Sequence, residues 1–455
     1  MEQRIRKLND ASVCAHGRYV LYWCRWNRRV DANHALAFAA GMANQLDLPL
    51  LYLENLTCDY PYASDRLHTF ALEGMPETAA RLRKLGIGCA LHLPRHRGQG
   101  GEAIAAAIRD AAAVVTDDCP LTPPELDVAG YAVDSCCIVP ASCIPGRCYA
   151  AYSLRPKIRK LLPQFLHPVR PVRVRRPFAA PPPAWHTAVE AAGIAPLVAA
   201  CEIDHSVSPP AGLRGGRAQA KRRLKQFLHY RLRRYARDKN EPSAHATSEL
   251  SAYLHWGYLS SLEVALAVRE YAEEHKLMAD EFLEELIVRR ELAFNFVRHA
   301  AAPDSLDELP EWARRTLDLH RKDRRDPSYT LKQLEAAATC DDLWNAAQTE
   351  LLLRGRIHGY YRMYWGKKIL EWSPSPREAL AAAVYLNDRY TVDGQDPNGY
   401  ANILWCFGLH DRPWPERPIF GTVRWMSRAG MERKTEVAAY LREIELLQRT
   451  GKELA

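Results

Sequence analysis

The segment HGYYRMYWGKKILEW, residues 358–372, combines aromatic rings and cations at spacings that could serve redox chemistry. If it is a helix, one face carries His358, Arg362, Trp365, Ile369 and Trp372. The two tryptophans of this face then lie two turns apart, roughly 10 Å along the helix axis. The arginine lies inside an otherwise apolar stripe, and it needs an anion because an unpaired buried charge is costly.

This aromatic stripe has two interpretations. In the first, it belongs to a structural helix with large core side chains and a buried ion pair. In the second, the rings form an electron-transfer chain that leads to a cofactor, and Arg362 helps to hold that cofactor. The next carboxylates along the chain that could pair with the arginine are Asp388, Asp393 and Asp396. The remaining charged side chains of the segment mostly face elsewhere: Lys367, Lys368 and Glu371.

Composition sets the class of protein. A chain of 455 residues with 47% hydrophobic and 25% charged residues is globular and long enough for two or three domains. Its net charge of +8 permits a polyanionic partner without requiring one. Twelve cysteines, with no apolar leader segment ahead of them, favour a reducing cytoplasm over a disulfide framework. No apolar run approaches the ~20 residues of a membrane span, so we expect no membrane partner.

Motifs for hydrolysis or phosphoryl transfer are missing from the sequence, which has no GxSxG, HExxH or Walker A pattern. Four cysteines cluster without CxxC spacing, and we expect no metal site there; they are Cys136, Cys137, Cys143 and Cys148. The first two fall in an apolar stretch that predicts a buried strand. His255 and His358 are interpreted as helix histidines with satisfied hydrogen bonds.

The first 150 residues alternate short apolar runs with helical patterns. The runs that predict strands are RYVLYWCR, LPLLYLEN, CALHLP, AAVVTDDC and YAVDSCCIVP. The patterns that predict helices are ANHALAFAAGMANQL, RLHTFALEGMPETAARLRKLG and GEAIAAAIRDA. This alternation predicts an α/β domain, residues 1–150, with a Rossmann-like, doubly wound parallel sheet. The glycine-rich RGQGGE is interpreted as a simple turn, with phosphate binding as the alternative.

The rest of the chain divides into a linker and a helical domain. Residues 151–215 include HPVRPVRVRRPFAAPPPAW, whose proline and arginine content predicts an extended linker along a surface. Residues 216–455 have helical periodicity almost throughout, which predicts a large all-α domain. Two basic segments, LRPKIRKLLPQFLHPVRPVRVRRPF and residues 213–239, could grip nucleic-acid phosphates, but such runs are more often a solvated surface.

Over nearly its whole length the chain resembles the class II cyclobutane pyrimidine dimer DNA photolyases. The matching stretches are WNRRVDANHAL, YAAYSLRPKIRKLLPQFL, TSELSAYLHWGYLSS, FLEELIVRRELAFNF, DDLWNAAQTELLLRGRIHGYYRMYWGKKILEW and YLNDRYTVDGQDPNGYANILW. The block from 341 to 405 is long and rich in aromatic residues, which makes the resemblance specific. An α/β domain followed by a helical domain agrees with the fold that this family would have.

The resemblance implies an FAD cofactor, bound in a bent form in the helical domain. The segment that matches the family's diphosphate-binding stretch is TSELS, which consists of Thr247, Ser248, Glu249, Leu250 and Ser251. Its hydroxyl and backbone N–H groups suit an anion. Tyr235 matches a tyrosine near the same phosphates. Arg362 and Asp393 match a buried ion pair beside the flavin ring, and Asn387 matches the residue that faces flavin N5.

The resemblance also implies an electron-transfer chain and a substrate pocket. The chain would run from the flavin to the surface through Trp365, Trp344 and Trp372. Trp405 matches the tryptophan that packs on the dimer, and Glu285 matches the glutamate that hydrogen-bonds its 5′ base. We expect Glu285 to be buried, since burial would favour the protonated form that can donate to a carbonyl. The neighbouring Arg289 and Arg290 stay undecided between a site role and a surface ion-pair face.

The implied activity is blue-light-driven repair of UV-damaged DNA that contains pyrimidine dimers. Excited reduced FAD donates an electron to the flipped-out dimer, the cyclobutane bonds break, and the electron returns. The HDRPWPERP loop, residues 410–418, lies where family members clamp DNA. We expect a monomer. The sequence leaves open whether a second, antenna chromophore of deazaflavin type fills the α/β domain.

Three features depart from the family pattern. Glu249 puts a carboxylate close to the expected phosphates, so it must point away or weaken binding. The segment between Trp405 and His410 is one residue shorter than the class II pattern, and Trp425 stands where a tyrosine is expected. These departures keep the substrate preference open.

Two other functions compete with repair. A cryptochrome-type light sensor would keep FAD and the tryptophan chain but lose repair, and the presence of Glu285 and Trp405 argues against it. A DNA-binding protein that has lost FAD is disfavoured by the presence of Arg362, Asp393 and Asn387. A (6-4) photoproduct is a less favoured substrate, because the resemblance is to the class II branch and the pocket segment has no histidine pair.

Overall fold

The computed structural model describes residues 1–121 and 125–451, so the last four residues of the predicted helical domain lie outside the described part. Its sheet has six strands in the order β1-β6-β5-β2-β3-β4. They are β1 (Ile5–Lys7), β2 (Tyr19–Cys24), β3 (Leu50–Asn55), β4 (Gly88–His92), β5 (Ala111–Asp117) and β6 (Gly130–Val133). All neighbouring strands pair in parallel except β1 and β6. The predicted parallel sheet is confirmed, with one antiparallel edge strand added.

Helices cover both faces of this sheet: α1 (His34–Gln45), α2 (Asp65–Glu73), α3 (Met75–Lys84) and α4 (Gly101–Arg109). Strands covered on both sides read as continuous apolar runs, which is why β3 and β5 were visible in the sequence. The predicted single helix at 66–86 is two helices, because a proline near the start of α3 cannot continue the hydrogen bonding of α2. The turn predicted before α4 is confirmed, and Gly98 and Gly100 both have positive φ there.

The strand predicted at 131–140 is wrong in its second half. β6 ends at Val133, and both Cys136 and Cys137 lie buried in the loop that follows. The carboxylate of Asp134 accepts hydrogen bonds from the backbone N–H groups of both cysteines at 3.0 Å, which turns the chain out of the sheet. All twelve cysteines are free thiols, as the composition predicted.

The segment 151–215 is extended only in part. It begins with α5 (Ala151–Phe165), contains the short α6 (Ile194–Ala199), and has neither helix nor strand from 166 to 190. This middle stretch follows the edge of the α/β domain, where Phe178 N donates to Gly86 O at 2.9 Å and Thr187 N donates to Leu91 O at 2.8 Å. The boundaries at 150 and 215 stay predictions.

The remaining chain is helical, as predicted. The helices are α7 (Arg217–Gln226), α8 (Leu232–Asp238), α9 (Ser251–His255), α10 (Ser261–His275), α11 (Asp280–Leu283), α12 (Arg290–His299), α13 (Glu311–Leu319), α14 (Leu331–Glu335), α15 (Asp342–Arg354), α16 (Gly359–Trp372), α17 (Pro376–Tyr390), α18 (Pro397–Trp405), α19 (Arg428–Glu432) and α20 (Val437–Thr450). π-Helical turns precede α8 and α12. Within the described ranges, no helix has the length and apolar character to cross a membrane.

Buried polar contacts join the helical part to the sheet. Ile138 N and Val139 N, in the loop after β6, donate to Glu291 Oε1 of α12 at 2.6 and 3.3 Å. Arg290 is also buried and donates to Cys136 O at 2.6 Å. These contacts fix α12, and the π-helical turn that carries Glu285, against the carboxyl edge of the sheet.

Candidate cofactor and substrate site

A cavity of about 340 Å³ opens in the helical part of the molecule, a size typical of cofactor sites. The residues that the resemblance assigns to FAD, apart from Asn387, all line it: Tyr235, Thr247, Ser248, Glu249, Leu250, Ser251, Arg362 and Asp393. The described lining also includes Glu285, but not Asn387 or the assigned tryptophans. The fold therefore brings residues from 235 to 393 to one cavity.

Glu249 organises the positive end of this cavity. Its carboxylate is ion-paired to Arg223, to Arg231 at 3.3 Å and to Arg356 at 3.1 Å. Burial alone would raise the pKa of Glu249, but attraction to Arg356, then Arg223 and Arg231, lowers it to about 2. The carboxylate is thus turned to three guanidinium groups, and the cluster keeps a net charge of +2. The three ion pairs offset the repulsion that the Glu249 carboxylate would otherwise exert on a phosphate.

The backbone at Glu249 has an unusual conformation. Its φ is 56°, in the left-handed region that non-glycine residues seldom adopt. This turn precedes α9, which has only five residues. A helix this short supplies little dipole, so Arg356, together with the hydroxyls of Thr247, Ser248 and Ser251, supplies the anion-binding groups of this part of the lining. Arg223 and Arg231 contact Glu249 but are not among the described lining residues.

Two hydrogen-bond donors on the cavity wall have no partner. Nε of Arg362 and Nε2 of His358 are both buried without a hydrogen bond. Burial lowers the pKa of His358, so its ring is neutral, and its Nδ1 accepts from Tyr360 N at 3.3 Å. Nε2 therefore carries the proton. Buried donors without acceptors are costly, so this wall suits a ligand rich in acceptor oxygens and nitrogens.

The ion pair expected between Arg362 and Asp393 is not formed. The two half-buried side chains line the same cavity, but no ion pair among the described residues joins them. Arg362 instead donates from Nη2 to Ile357 O at 3.4 Å. Helix α16 begins at Gly359, after His358. Arg362 therefore lies in the first turn of the helix, where its side chain contacts the backbone of Ile357.

A buried hydrogen-bonded network that also lines the cavity was not predicted from the sequence. Arg354 donates to Glu443 at 2.6 Å and to Glu350 at 3.4 Å, and Tyr440 donates to Glu350 at 2.7 Å. The spacing of Glu350 and Arg354, four residues apart on α15, is a signal that could have found this pair. No local signal could have found the partners on α20, which lie about ninety residues away along the chain.

His255 and Asp396 form another buried pair that lines the cavity. His255 Nδ1 lies 3.0 Å from Asp396 Oδ2, so the histidine is satisfied as predicted. Burial alone would raise the pKa of Asp396, but its hydrogen bond with His255 lowers it. Asn398 and Asn402, on α18, line the cavity beside this pair.

The three assigned tryptophans are in contact in the expected order. The rings of Trp365 and Trp344 are stacked, with centroids 6.5 Å apart and planes 1° apart. The centroid of Trp372 lies 5.6 Å from that of Trp344. Trp365 follows Arg362 by one turn of α16, which connects the row of rings to the cavity. Trp372 is only 3% exposed, so the expectation that the chain ends at a surface ring is wrong; the half-buried Tyr329 covers it at 5.2 Å.

Asn387 lies beside the cavity lining rather than in it. Its side chain is 3% exposed, and its Nδ2 donates to Asp388 Oδ1 at 2.9 Å. Gly399 of α18 packs against it so closely that an added Cβ would lie 3.3 Å from Nδ2. The N5-facing role assigned to Asn387 therefore stays a prediction.

Lys367 lies off the aromatic stripe, but it is not exposed. Its side chain is fully buried, its Nζ donates to Cys406 O at 2.6 Å, and burial lowers its pKa to about 8. The cation lies 4.9 Å from the ring centroid of Trp405. It turns inward because it compensates the end of α18, whose last carbonyl groups have no partner within the helix.

Trp405 belongs to a half-buried surface of alternating rings and arginines. Arg424 lies over the rings of both Trp405 and Trp414, at 5.7 and 4.8 Å. Arg417 lies 4.1 Å from the ring centroid of Trp425, the residue that replaces the expected tyrosine. Trp405 follows Asn398 and Asn402 on the same face of α18, which joins this surface to the cavity. Rings interleaved with cations suit unstacked bases and phosphates.

The expectation that Glu285 is buried is wrong. Its side chain is 46% exposed, and Lys239 Nζ donates to it at 3.2 Å. It therefore lies at the cavity rim, facing solvent. The two neighbouring arginines differ in environment. Arg289 is exposed and lies 3.8 Å from Glu284, whereas Arg290 is buried and donates to Cys136 O.

A second cavity of about 330 Å³ opens where β2 and β3 end. Its walls include the aromatic rings of Trp23, Trp26, Tyr60 and Trp256. Ligands of parallel α/β sheets bind at such carboxyl ends, and ring-lined walls suit a planar ligand. His255 lines both cavities.

Comparison with known proteins gives a consistent result. No protein-family profile matches the chain. It is 40% identical to the deoxyribodipyrimidine photo-lyase of Methanothermobacter thermautotrophicus, over 97% of this chain and 98% of that protein. It is 36% identical to the deoxyribodipyrimidine photo-lyase of Potorous tridactylus, over 97% of this chain and 84% of that protein.

Solved structures agree in fold. A Synechocystis cryptochrome superposes with a TM-score of 0.69 at 15% identity, covering 94% of this chain and 89% of that one. A class III photolyase from Agrobacterium tumefaciens gives 0.68 at 17% identity, covering 98% and 94%. A Sulfolobus tokodaii photolyase with two FAD molecules gives 0.63 at 15% identity, covering 95% and 91%.

Proposed function

The chain belongs to the photolyase and cryptochrome family, and we propose that it is a class II DNA photolyase, an enzyme that uses blue light to repair cyclobutane pyrimidine dimers. The likeness to curated deoxyribodipyrimidine photo-lyases over nearly the whole chain is the observation that supports this most strongly. The class II assignment is supported by the sequence block 341–405 and by the stacking order of its tryptophans.

The residues of the cavity in the helical part fit FAD. Arg356 on the cavity wall supplies positive charge for the diphosphate, and Arg223 and Arg231, paired with Glu249 outside the described lining, add to the positive potential there. The unpartnered donors of Arg362 and His358 suit the polar edge of the flavin ring. When bound and reduced, this cofactor supplies the light-excited electron that splits the cyclobutane ring.

The tryptophans are proposed to serve photoreduction and not repair. Trp365, Trp344 and Trp372 are buried in apolar surroundings with ring centroids 5.6–6.5 Å apart, close enough for stepwise electron transfer. Trp365 is held in place by its Nε1–H donating to Gln348 Oε1 at 2.9 Å, and Trp344 by donating to Trp365 O at 3.0 Å. These hydrogen bonds fix the stacked geometry of the first pair.

Damaged DNA is the proposed partner. A flipped-out dimer would pack on Trp405, with Glu285 at the cavity rim as the polar anchor and Arg424 near the phosphates. The arginines of the 410–418 loop, Arg412 and Arg417, lie over tryptophan rings and leave a cationic surface for the DNA strand. Excess positive charge on the chain agrees with this partner.

Three finer assignments complete the proposal. A second chromophore of deazaflavin or flavin type would occupy the cavity at the ends of β2 and β3, where rings line the walls. The enzyme is proposed to act as a monomer. A cytoplasmic location is supported by its twelve free thiols.

Light-dependent repair tests the proposal. Purified, chemically reduced protein is mixed with a thymine-dimer oligonucleotide, and the return of thymine absorbance is followed in blue light and in the dark. Return only in blue light is expected. A yellow, photoreducible protein that restores no thymine would contradict the proposal and favour the light-sensor function, whereas a colourless protein that binds DNA would favour a member that has lost FAD.

A further inference from the structure

Three potential metal ligands meet in the α/β domain, far along the chain from one another. Cys58 lies in the loop after β3, His68 on α2, and Cys201 in the loop after α6. Their sulfur and ring-nitrogen atoms all lie within 4.8 Å of one another. All three are buried, with exposed fractions of 1%, 1% and 3%.

His68 is the unexplained member of this cluster. Both of its ring nitrogens are buried without a hydrogen bond of good geometry, and the backbone of Ser64 offers only a weak contact. Burial lowers the pKa of His68 to about 4, so its ring is neutral, with one nitrogen a donor and the other an acceptor. Leaving both poorly satisfied in the interior is costly. The hydroxyl of Ser64, the N-cap residue just before α2, is also buried without a partner. Unsatisfied polar atoms beside two thiols indicate a ligand between them.

We propose that Cys58, His68 and Cys201 bind a thiophilic divalent cation, Zn²⁺ or a metal of the same class. Two sulfurs and an imidazole are the donor set that this class prefers. In a tetrahedral zinc site, with Zn–S of ~2.3 Å and Zn–N of ~2.0 Å, ligand atoms are about 3.6–3.8 Å apart. Small side-chain rotations bring the three donors from within 4.8 Å to that separation.

Neighbouring groups complete the site. The carbonyl oxygen of Pro94 lies 3.3 Å from Cys58 Sγ and 4.0 Å from Cys201 Sγ, where it or a water could be the fourth ligand. Arg95 Nη1 lies 3.5 Å from Cys201 Sγ. Binding releases one proton from each thiol, so the two thiolates balance the charge of the metal.

The site would fasten the linker to the α/β domain. Cys201 belongs to the segment 151–215, whereas Cys58 and His68 belong to the domain that this segment crosses. Backbone hydrogen bonds from Asp65 and Arg66 to Asp204 and Val207 join the same elements. The role is structural and independent of the flavin cavity. No sequence pattern marks this site, because no two of the ligands have motif spacing.

Metal content and zinc-edge X-ray absorption test the site on the full-length flavoprotein. Protein supplied with ZnCl2 and then dialysed against a weak chelator is expected to retain one zinc per chain, with two sulfur neighbours at ~2.3 Å. No retained zinc, or zinc with only nitrogen and oxygen neighbours, would overturn the proposal. Because this measurement uses the unmodified chain, it does not depend on any variant folding.

Variants locate the metal. Cys58→Ser and Cys201→Ser are each expected to abolish zinc retention and the rise in melting temperature that zinc gives, while Cys148→Ser, at a buried cysteine elsewhere, keeps both. Flavin retention reports whether each variant is folded. Equal zinc retention by all three folded variants would place the metal elsewhere and refute the site.

Discussion

Single residues decide whether the row of tryptophans delivers electrons or only fills the core. Trp344, Trp365 and Trp372 are as buried as any core residue, and their burial alone cannot separate the two roles. Two facts favour electron transfer. The rings of Trp365 and Trp344 are parallel, and Trp365 lies one helical turn after Arg362, which lines the cavity. A leucine core would fill the same volume without either feature.

Trp365→Phe should slow photoreduction of the oxidised enzyme by at least about tenfold, because it removes the electron donor that lies first in the row beside the cavity. Repair by chemically reduced enzyme should stay near the wild-type rate. Flavin absorbance under illumination, followed by a repair assay after dithionite, measures both. Trp185→Phe, in the linker, is the matched control. An equal loss of repair in the prereduced Trp365 variant would refute the electron-transfer role.

The expected effect of Glu249 on phosphate binding is unfavourable from the sequence but favourable from the structure. A carboxylate near a phosphate is unfavourable, yet here it holds three guanidinium groups together. Glu249→Gln should lower the stability of flavin-free protein by about 2 kcal/mol, after allowance for partial solvent screening. Added FAD should raise the melting temperature of the variant more than that of wild type, because its diphosphate replaces the lost counter-ion.

Thermal unfolding with and without FAD measures this effect. Glu281→Gln, which removes an exposed partner of Lys239, is the control and should leave the stability nearly unchanged. An identical FAD-induced shift in wild type and in Glu249→Gln would show that the carboxylate does not organise the arginines.

At the scale of elements, α12 connects the cavity to the sheet. Glu291 is buried against the loop after β6, and burial raises its pKa from 4.5 to about 8. Between pH 4.5 and pH 8, this carboxyl is therefore protonated in the folded state and ionised in the unfolded state. Its contribution to the free energy of unfolding is complete below pH 4.5 and is lost as the pH rises towards 8.

Glu291→Gln should remove this pH dependence. Wild type should lose up to about 1.4 kcal/mol of stability per pH unit across that window because of this group, and the variant should lose less and be the more stable at pH 8. Urea unfolding midpoints across the window measure the difference, with Glu281→Gln as the control. Parallel curves for wild type and Glu291→Gln would contradict the assignment.

Sequence patterns predicted the elements whose burial is regular. β3 and β5 are continuous apolar runs because helices cover both faces, and α10 and α17 have clear helical periodicity. β1 has only three residues, two of them charged, so no pattern could mark it. The burial of Lys367 was not predictable from periodicity, because it depends on a carbonyl at the end of another helix.

The candidate site was predictable to the extent that it follows a family motif. TSELS, Arg362 and the tryptophans are recognisable in one dimension, and the cavity brings the motif residues together. Contacts between distant segments were not predictable, because nothing local in the sequence encodes them. Arg354 with Glu443, Glu285 with Lys239, and the missing pair between Arg362 and Asp393 are of this kind.

At the scale of the whole molecule, two cavities and one cationic surface lie along a single path. The ring-lined cavity at the sheet shares His255 with the cofactor cavity, and α18 connects that cavity to Trp405 at the surface. Light capture, cofactor and damaged DNA can therefore be arranged in sequence through one chain. This arrangement explains why a small sheet domain and a large helical domain are fastened together by buried contacts such as that of Glu291.

The action spectrum of dimer repair tests this account most directly. Chemically reduced protein that carries only FAD is illuminated at successive wavelengths, and thymine recovery per incident photon is measured at each. The account predicts that repair follows the absorption spectrum of the bound reduced flavin and vanishes in the dark. Repair in the dark, or at wavelengths that the bound flavin does not absorb, would contradict the central claim that light absorbed in this cavity drives the chemistry.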